Sequence, residues 1–131
     1  RHGTRDWEDG PLAFMVPGTA NGFPRAWWPE GPGENHVLGE PEWTGRYLDG
    51  LGNRMTIYAA ANPEKGSNEL GIRDTHPERL AHLKGSGYGI ARLHKARKAV
   101  TFEMWRYDAN AAAPGPGDQF EGFPRTMPVA P

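Results

Sequence analysis

The sequence predicts a mostly β protein with one short helix and long Gly/Pro-rich loops. Three observations carry this prediction. The 131 residues include 18 glycines and 13 prolines, about a quarter of the chain and roughly twice the usual share, which breaks up helices. Several stretches alternate apolar and polar residues with the period of a strand. Five Trp, four Tyr and five Phe supply packing surface that disordered chains lack, so the loops between strands are expected to be ordered.

The elements follow in order. Leu12-Ala13-Phe14-Met15-Val16 is a short apolar run closed by Pro17-Gly18, too short for a helix, and reads as a buried strand. Residues 17–45 are dense in Gly and Pro and sustain no regular element, yet they carry Phe23, Trp27, Trp28 and Trp43. Arg46-Tyr47-Leu48 and the stretch from Arg54 to Ala61 flank Asp49-Gly50-Leu51-Gly52-Asn53, which predicts a hairpin. Thr75-His76-Pro77-Glu78 has the form of a capping box with proline in the first turn, and Gly85 can close the helix, about ten residues long in all. Tyr88–His94 and Ala99–Tyr107 form a second hairpin around Lys95-Ala96-Arg97-Lys98. Within it Val100, Phe102 and Met104 share one face and Thr101, Glu103 and Trp105 the other. The tail, 109–131, is expected to be irregular.

Composition excludes several function classes. The net charge of −1 argues against a nucleic-acid partner. No apolar window approaches the length of a membrane span, so no membrane partner is expected. With no cysteine, disulfides, thiolate zinc sites and thiol nucleophiles are ruled out. The phosphate-binding loop, the HExxH zinc motif, the EF-hand loop and the GxSxG elbow are absent. Gly85-Ser86-Gly87-Tyr88-Gly89 precedes a strand, whereas a dinucleotide fingerprint follows one.

Three places carry candidate chemistry. His2 lies among Arg5, Asp6, Glu8 and Asp9, a group that can bind phosphate or a cation, or form a solvated end. Asp74-Thr75-His76 is a D-x-H triplet of the kind that grips a divalent ion, but Pro77 follows and helix capping is the expected role. Phe23-Pro24-Arg25-Ala26-Trp27-Trp28-Pro29 is the most unusual segment. Its tryptophans can stack on sugars or bases beside an Arg25 placed for phosphate, or they can clamp the loop to the domain.

Three blocks then carry a family resemblance. The first runs from Arg1-His2-Gly3 through Val16-Pro17-Gly18-Thr19-Ala20-Asn21-Gly22-Phe23-Pro24-Arg25-Ala26-Trp27-Trp28-Pro29. The second runs from Tyr47-Leu48-Asp49-Gly50-Leu51-Gly52-Asn53-Arg54-Met55-Thr56 to Ala61-Asn62-Pro63. The third runs from Gly87-Tyr88-Gly89-Ile90-Ala91-Arg92 through Thr101-Phe102-Glu103-Met104-Trp105, followed by Gln119-Phe120-Glu121-Gly122-Phe123-Pro124-Arg125-Thr126. In order and separation they resemble the C-terminal part of bacterial calcineurin-like metallophosphoesterases of the alkaline phosphatase D type.

The resemblance implies a piece of an α/β metallophosphoesterase sandwich, with residues 1–131 as the C-terminal part of a single domain. It implies a phosphoester hydrolase whose two divalent metal ions hold the phosphate and generate a hydroxide. The family's ligand motifs lie upstream of this segment, so the resemblance implies no metal ligand here, no bound metal in this piece and no activity from it alone. The implied partners are a phosphoester substrate in the parent and the missing N-terminal half of the domain. The implied location is bacterial periplasmic or secreted. By loop position, His2, Arg25, Trp27 and Trp28 are the candidate substrate-binding residues. The competing expectation is a non-catalytic β module that binds carbohydrate or a protein partner through exposed aromatics.

Overall fold

The computed structural model of the chain describes residues 2–3, 7, 10–19, 25–67 and 76–129. Among these residues the regular structure is mostly β, with two antiparallel three-stranded sheets and one short α-helix. The first sheet has β1 (His2–Gly3) and β2 (Gly45–Leu48) on either side of β3 (Arg54–Ile57). The second has β5 (Ala99–Arg106) between β4 (Gly87–His94) and β6 (Arg125–Pro128). The helix α1 spans Pro77–Leu83. Among the described residues no helix is long and apolar enough to cross a membrane.

Both expected hairpins form. Leu48 opposes Arg54, and the turn between them is fastened by Asp49, whose carboxylate accepts from the backbone of Leu51 and Asn53 and from the Asn53 amide. The second strand is shorter than the run to Ala61 suggests and leaves the ladder after Ile57. In the other hairpin Tyr88 opposes Trp105 and His94 opposes Ala99, across a 3-10 turn at Lys95–Arg97 with Lys98 left-handed at φ 46°. This register sets Val100, Phe102 and Met104 on one face and Thr101, Glu103 and Trp105 on the other, as the alternation requires.

Three expectations are corrected. Leu12–Val16 joins no ladder. Pro11 and Pro17 bracket it and remove donors, and it lies instead across the face of β4 and β5. There Phe14 meets Phe102 with ring centroids 4.6 Å apart, while Met15 is 86% exposed, so the segment is a half-buried strap rather than a buried strand. The helix is seven residues long rather than about ten. His76 takes its N-cap position without a side-chain cap, and the Asp74-Thr75 part of the capping and D-x-H readings lies outside the described residues. Its end is as expected: Gly85 adopts φ +66°, Gly85 N–H donates to His82 and Ser86 N–H to Ala81. The tail is not irregular throughout, because β6 pairs with β5 and Phe120, 3% exposed, belongs to the core with Val100, Met104 and Trp105.

Loops tie the two sheets together. Gly122 lies against Ala59 and Pro41, where even a methyl group would meet the Ala59 side chain at 3.2 Å. Arg125 on β6 donates to both carboxylate oxygens of Glu40, at 2.9 and 2.8 Å. Gly18 accepts from Gly87 N–H at 3.2 Å, and Glu64 N–H donates to Leu83 at 2.8 Å.

Candidate functional site

The site begins with a loop that has no regular structure and must satisfy its backbone through side chains. Trp27 N–H donates to Asn62 Oδ1 at 2.8 Å, and Asn62 Nδ2 donates back to the Trp27 carbonyl at 2.9 Å. The amide of Asn62 thus stands in for a neighbouring strand. The Trp27 indole N–H donates to the Trp43 carbonyl at 3.0 Å, and the ring meets Tyr47 edge to face with centroids 5.0 Å apart. Trp28 meets Trp43 in the same manner at 5.2 Å, with Lys65 Nζ 5.1 Å from its ring centre. The clamping role therefore accounts for Trp27 and most of Trp28, which keeps 39% of its surface exposed.

Tyr47 anchors the cluster. Its hydroxyl donates toward the carbonyls of Gly31 and Thr44, both at 3.2 Å, and burial pushes its phenol above the ordinary range. Backbone packs directly on backbone here. A Cβ on Gly33 would lie 2.7 Å from Arg46 N, and Gly45, at φ +117°, lies against Gly33 in turn. Only glycines allow the 31–33 segment to sit on β2 and carry the loop over Tyr47.

The candidate residues are placed as follows. His2 stands in β1 opposite Met55, which in turn opposes Tyr47, so the three positions form one row across the sheet. At about 4.8 Å per strand, the His2 backbone is roughly 10 Å from that of Tyr47, the residue on which Trp27 packs. Arg25 is exposed and makes no hydrogen bond or ion pair with the described residues. The neighbours Arg5, Asp6, Glu8 and Asp9, and Phe23 with Pro24, lie outside the described residues. Among the described residues no three His, Asp or Glu side chains come together to hold a metal ion.

Two arrangements escaped the sequence reading. Arg46 and Arg54 share one face of β2 and β3, and their guanidinium groups lie 5.7 and 6.0 Å from the centre of the Trp7 ring. The hairpin register carries that signal, since Arg46 opposes Thr56, two residues beyond Arg54. On the second sheet, Arg92 makes a two-pronged ion pair with Glu103, which also accepts from the Trp105 indole at 3.0 Å. Glu103 is 8% exposed, and the pair fills the polar face of the second hairpin. No family model, curated protein or solved structure matches the chain.

Proposed function

We propose that the chain is the C-terminal part of a two-metal phosphoester hydrolase of the bacterial calcineurin-like, alkaline phosphatase D type, with Arg25 and Trp28 at the substrate entrance. The observation that supports this reading is the His2–Met55–Tyr47 row with Trp27 packed at its end. Residues of the first two family-like blocks thereby stand in one backbone row, with His2 at one end and Tyr47, against Trp27, at the other. In this reading the metal ligands belong to other segments of the parent, and the present residues bind and orient. Trp27, held by Asn62 and Trp43, fixes the loop. Arg25, two residues away and with no partner among the described residues, offers a planar pair of donors to a phosphoryl oxygen. Trp28, with Lys65 over its ring, lines the entrance.

The second reading, a module that binds glycans through aromatics, draws on the exposure of Trp28. Sugar stacking needs an open indole face, however, and Lys65 already occupies one. Substitution in the longer polypeptide separates the two. Under the hydrolase reading Arg25→Ala lowers turnover of a chromogenic phosphodiester about tenfold or more, with an unchanged melting temperature. Under the module reading Trp28→Ala abolishes glycan binding and Arg25→Ala is silent. Unchanged turnover in Arg25→Ala would remove the proposed role.

A further inference from the structure

Among the described residues no strand pairs with the outer edge of β4. Ser86 accepts from Tyr107 N–H at 3.1 Å, which places the N–H and C=O groups of even-numbered residues toward β5. Those of Gly87, Gly89, Ala91 and Leu93 therefore point away from the sheet. Gly87 N–H is taken by Gly18, and no described residue pairs with the outward groups of the other three. Beside this edge an open apolar groove of about 430 Å³ runs past Leu12, Ala91, Leu93, Val100, Phe102 and Val129. Leu93 is 76% exposed at its rim. A flat edge next to exposed apolar surface is a template for another strand.

We propose that this edge pairs with β4 of a second copy of the chain, antiparallel about a two-fold axis at Ala91. Three features favour that occupant. First, the free edge runs only from Gly89 to Leu93, and a two-fold at Ala91 uses all of it: Ala91 faces its own copy and Gly89 faces Leu93. Second, the side chains fit in that register. Leu93 lands beside Gly89, where the absence of a Cβ lets Val16 and Phe14 approach the strand, and where Val16 is itself 54% exposed. On the other face Arg92 stands opposite Ile90, so no like charges oppose each other. Third, individual charges at the two ends are complementary. The turn carries exposed Lys95, Arg97 and Lys98. At the opposite end stand Asp108 and Glu78: the Tyr107 hydroxyl donates to the Glu78 carbonyl at 3.2 Å, and its phenol is raised by burial first and then by these two carboxylates. Arg106, also at that end, is occupied by the Phe120 ring and the Gly117 carbonyl. Exposed Arg79 adjoins Glu78 on α1, so it is Asp108 and Glu78 individually, rather than a net charge of that end, that antiparallel pairing sets toward the cationic turn of the other copy. This surface is separate from the Trp27 loop and does not depend on the hydrolase reading.

Sedimentation equilibrium of the 131-residue chain from micromolar to millimolar concentration tests the proposal. The expected result is a dimer that weakens with added salt. Ala91→Pro removes an N–H that faces away from β5, and Leu93→Lys puts a charge in the seam. Each is expected to weaken the dimer at least about tenfold. Lys95→Glu weakens it, and adding Asp108→Lys restores it. Should a variant fold poorly, hydrogen exchange of the unsubstituted chain gives the same answer: the Gly89, Ala91 and Leu93 amides gain protection as concentration rises. A monomer at all concentrations, or a dimer indifferent to these substitutions, overturns the proposal. Protection that arises only in a longer polypeptide also overturns it, and assigns the edge to a strand of that polypeptide.

Discussion

Asn62 and Trp27, 35 residues apart, exchange two hydrogen bonds, and the side chain of one serves as strand partner to the backbone of the other. The loop that carries the candidate site thus depends on a residue outside it. Asn62→Ala removes both partners and leaves a half-buried N–H and C=O unpaired. The expected cost is about 1–3 kcal/mol in urea denaturation, with a changed Trp27 fluorescence maximum. Asn62→Asp keeps the acceptor and loses the donor, so it should fall between the two.

Gly87 offers a sharper test of packing. A Cβ there would lie 2.2 Å from the Trp105 carbonyl oxygen, which is backbone and cannot swing aside. Gly87→Ala is expected to cost at least about 1–3 kcal/mol by thermal melt. Gly50→Ala, where a Cβ would meet nothing within 4 Å, is the matched control and should change stability little.

The Arg92–Glu103 pair predicts a pH dependence. Hydrogen bonds from Arg92 hold the Glu103 carboxyl below its ordinary value of 4.5, opposed by burial and aided by the Trp105 indole. A carboxyl whose folded pKa lies below its unfolded one adds stability above the unfolded value, and that stability is lost as pH falls through the folded value. Glu103→Gln should therefore be less stable than the parent sequence at neutral pH. The difference should close below about pH 4.5, as the unsubstituted carboxyl takes up its proton. Denaturation curves that stay parallel across this range would contradict the assignment.

How much of this was legible in the sequence depends on the range of the interaction. The hairpins were legible, because Asp49-Gly50 and the alternation about Val100, Phe102 and Met104 are local signals. The face shared by Arg46 and Arg54 follows once the register is known. Leu12–Val16 misled because its apolar composition fits a strand, while its role as a strap is set by Phe102 and Gly89, some 75–90 residues away. β6 was hidden for a similar reason: Arg125–Pro128 has little strand propensity and is held by β5 and by Glu40, 85 residues from Arg125. Within the candidate site the aromatic residues stood out, but nothing near Asn62 announced that it fastens them.

The most direct test of the functional reading compares two polypeptides in one assay, hydrolysis of a chromogenic phosphodiester with added divalent metal ions. The account predicts that the 131-residue chain is inactive and that a polypeptide extended upstream of Arg1 turns over substrate until a chelator is added. Chelator-sensitive turnover by the 131-residue chain alone, or none by the extended polypeptide, would contradict it.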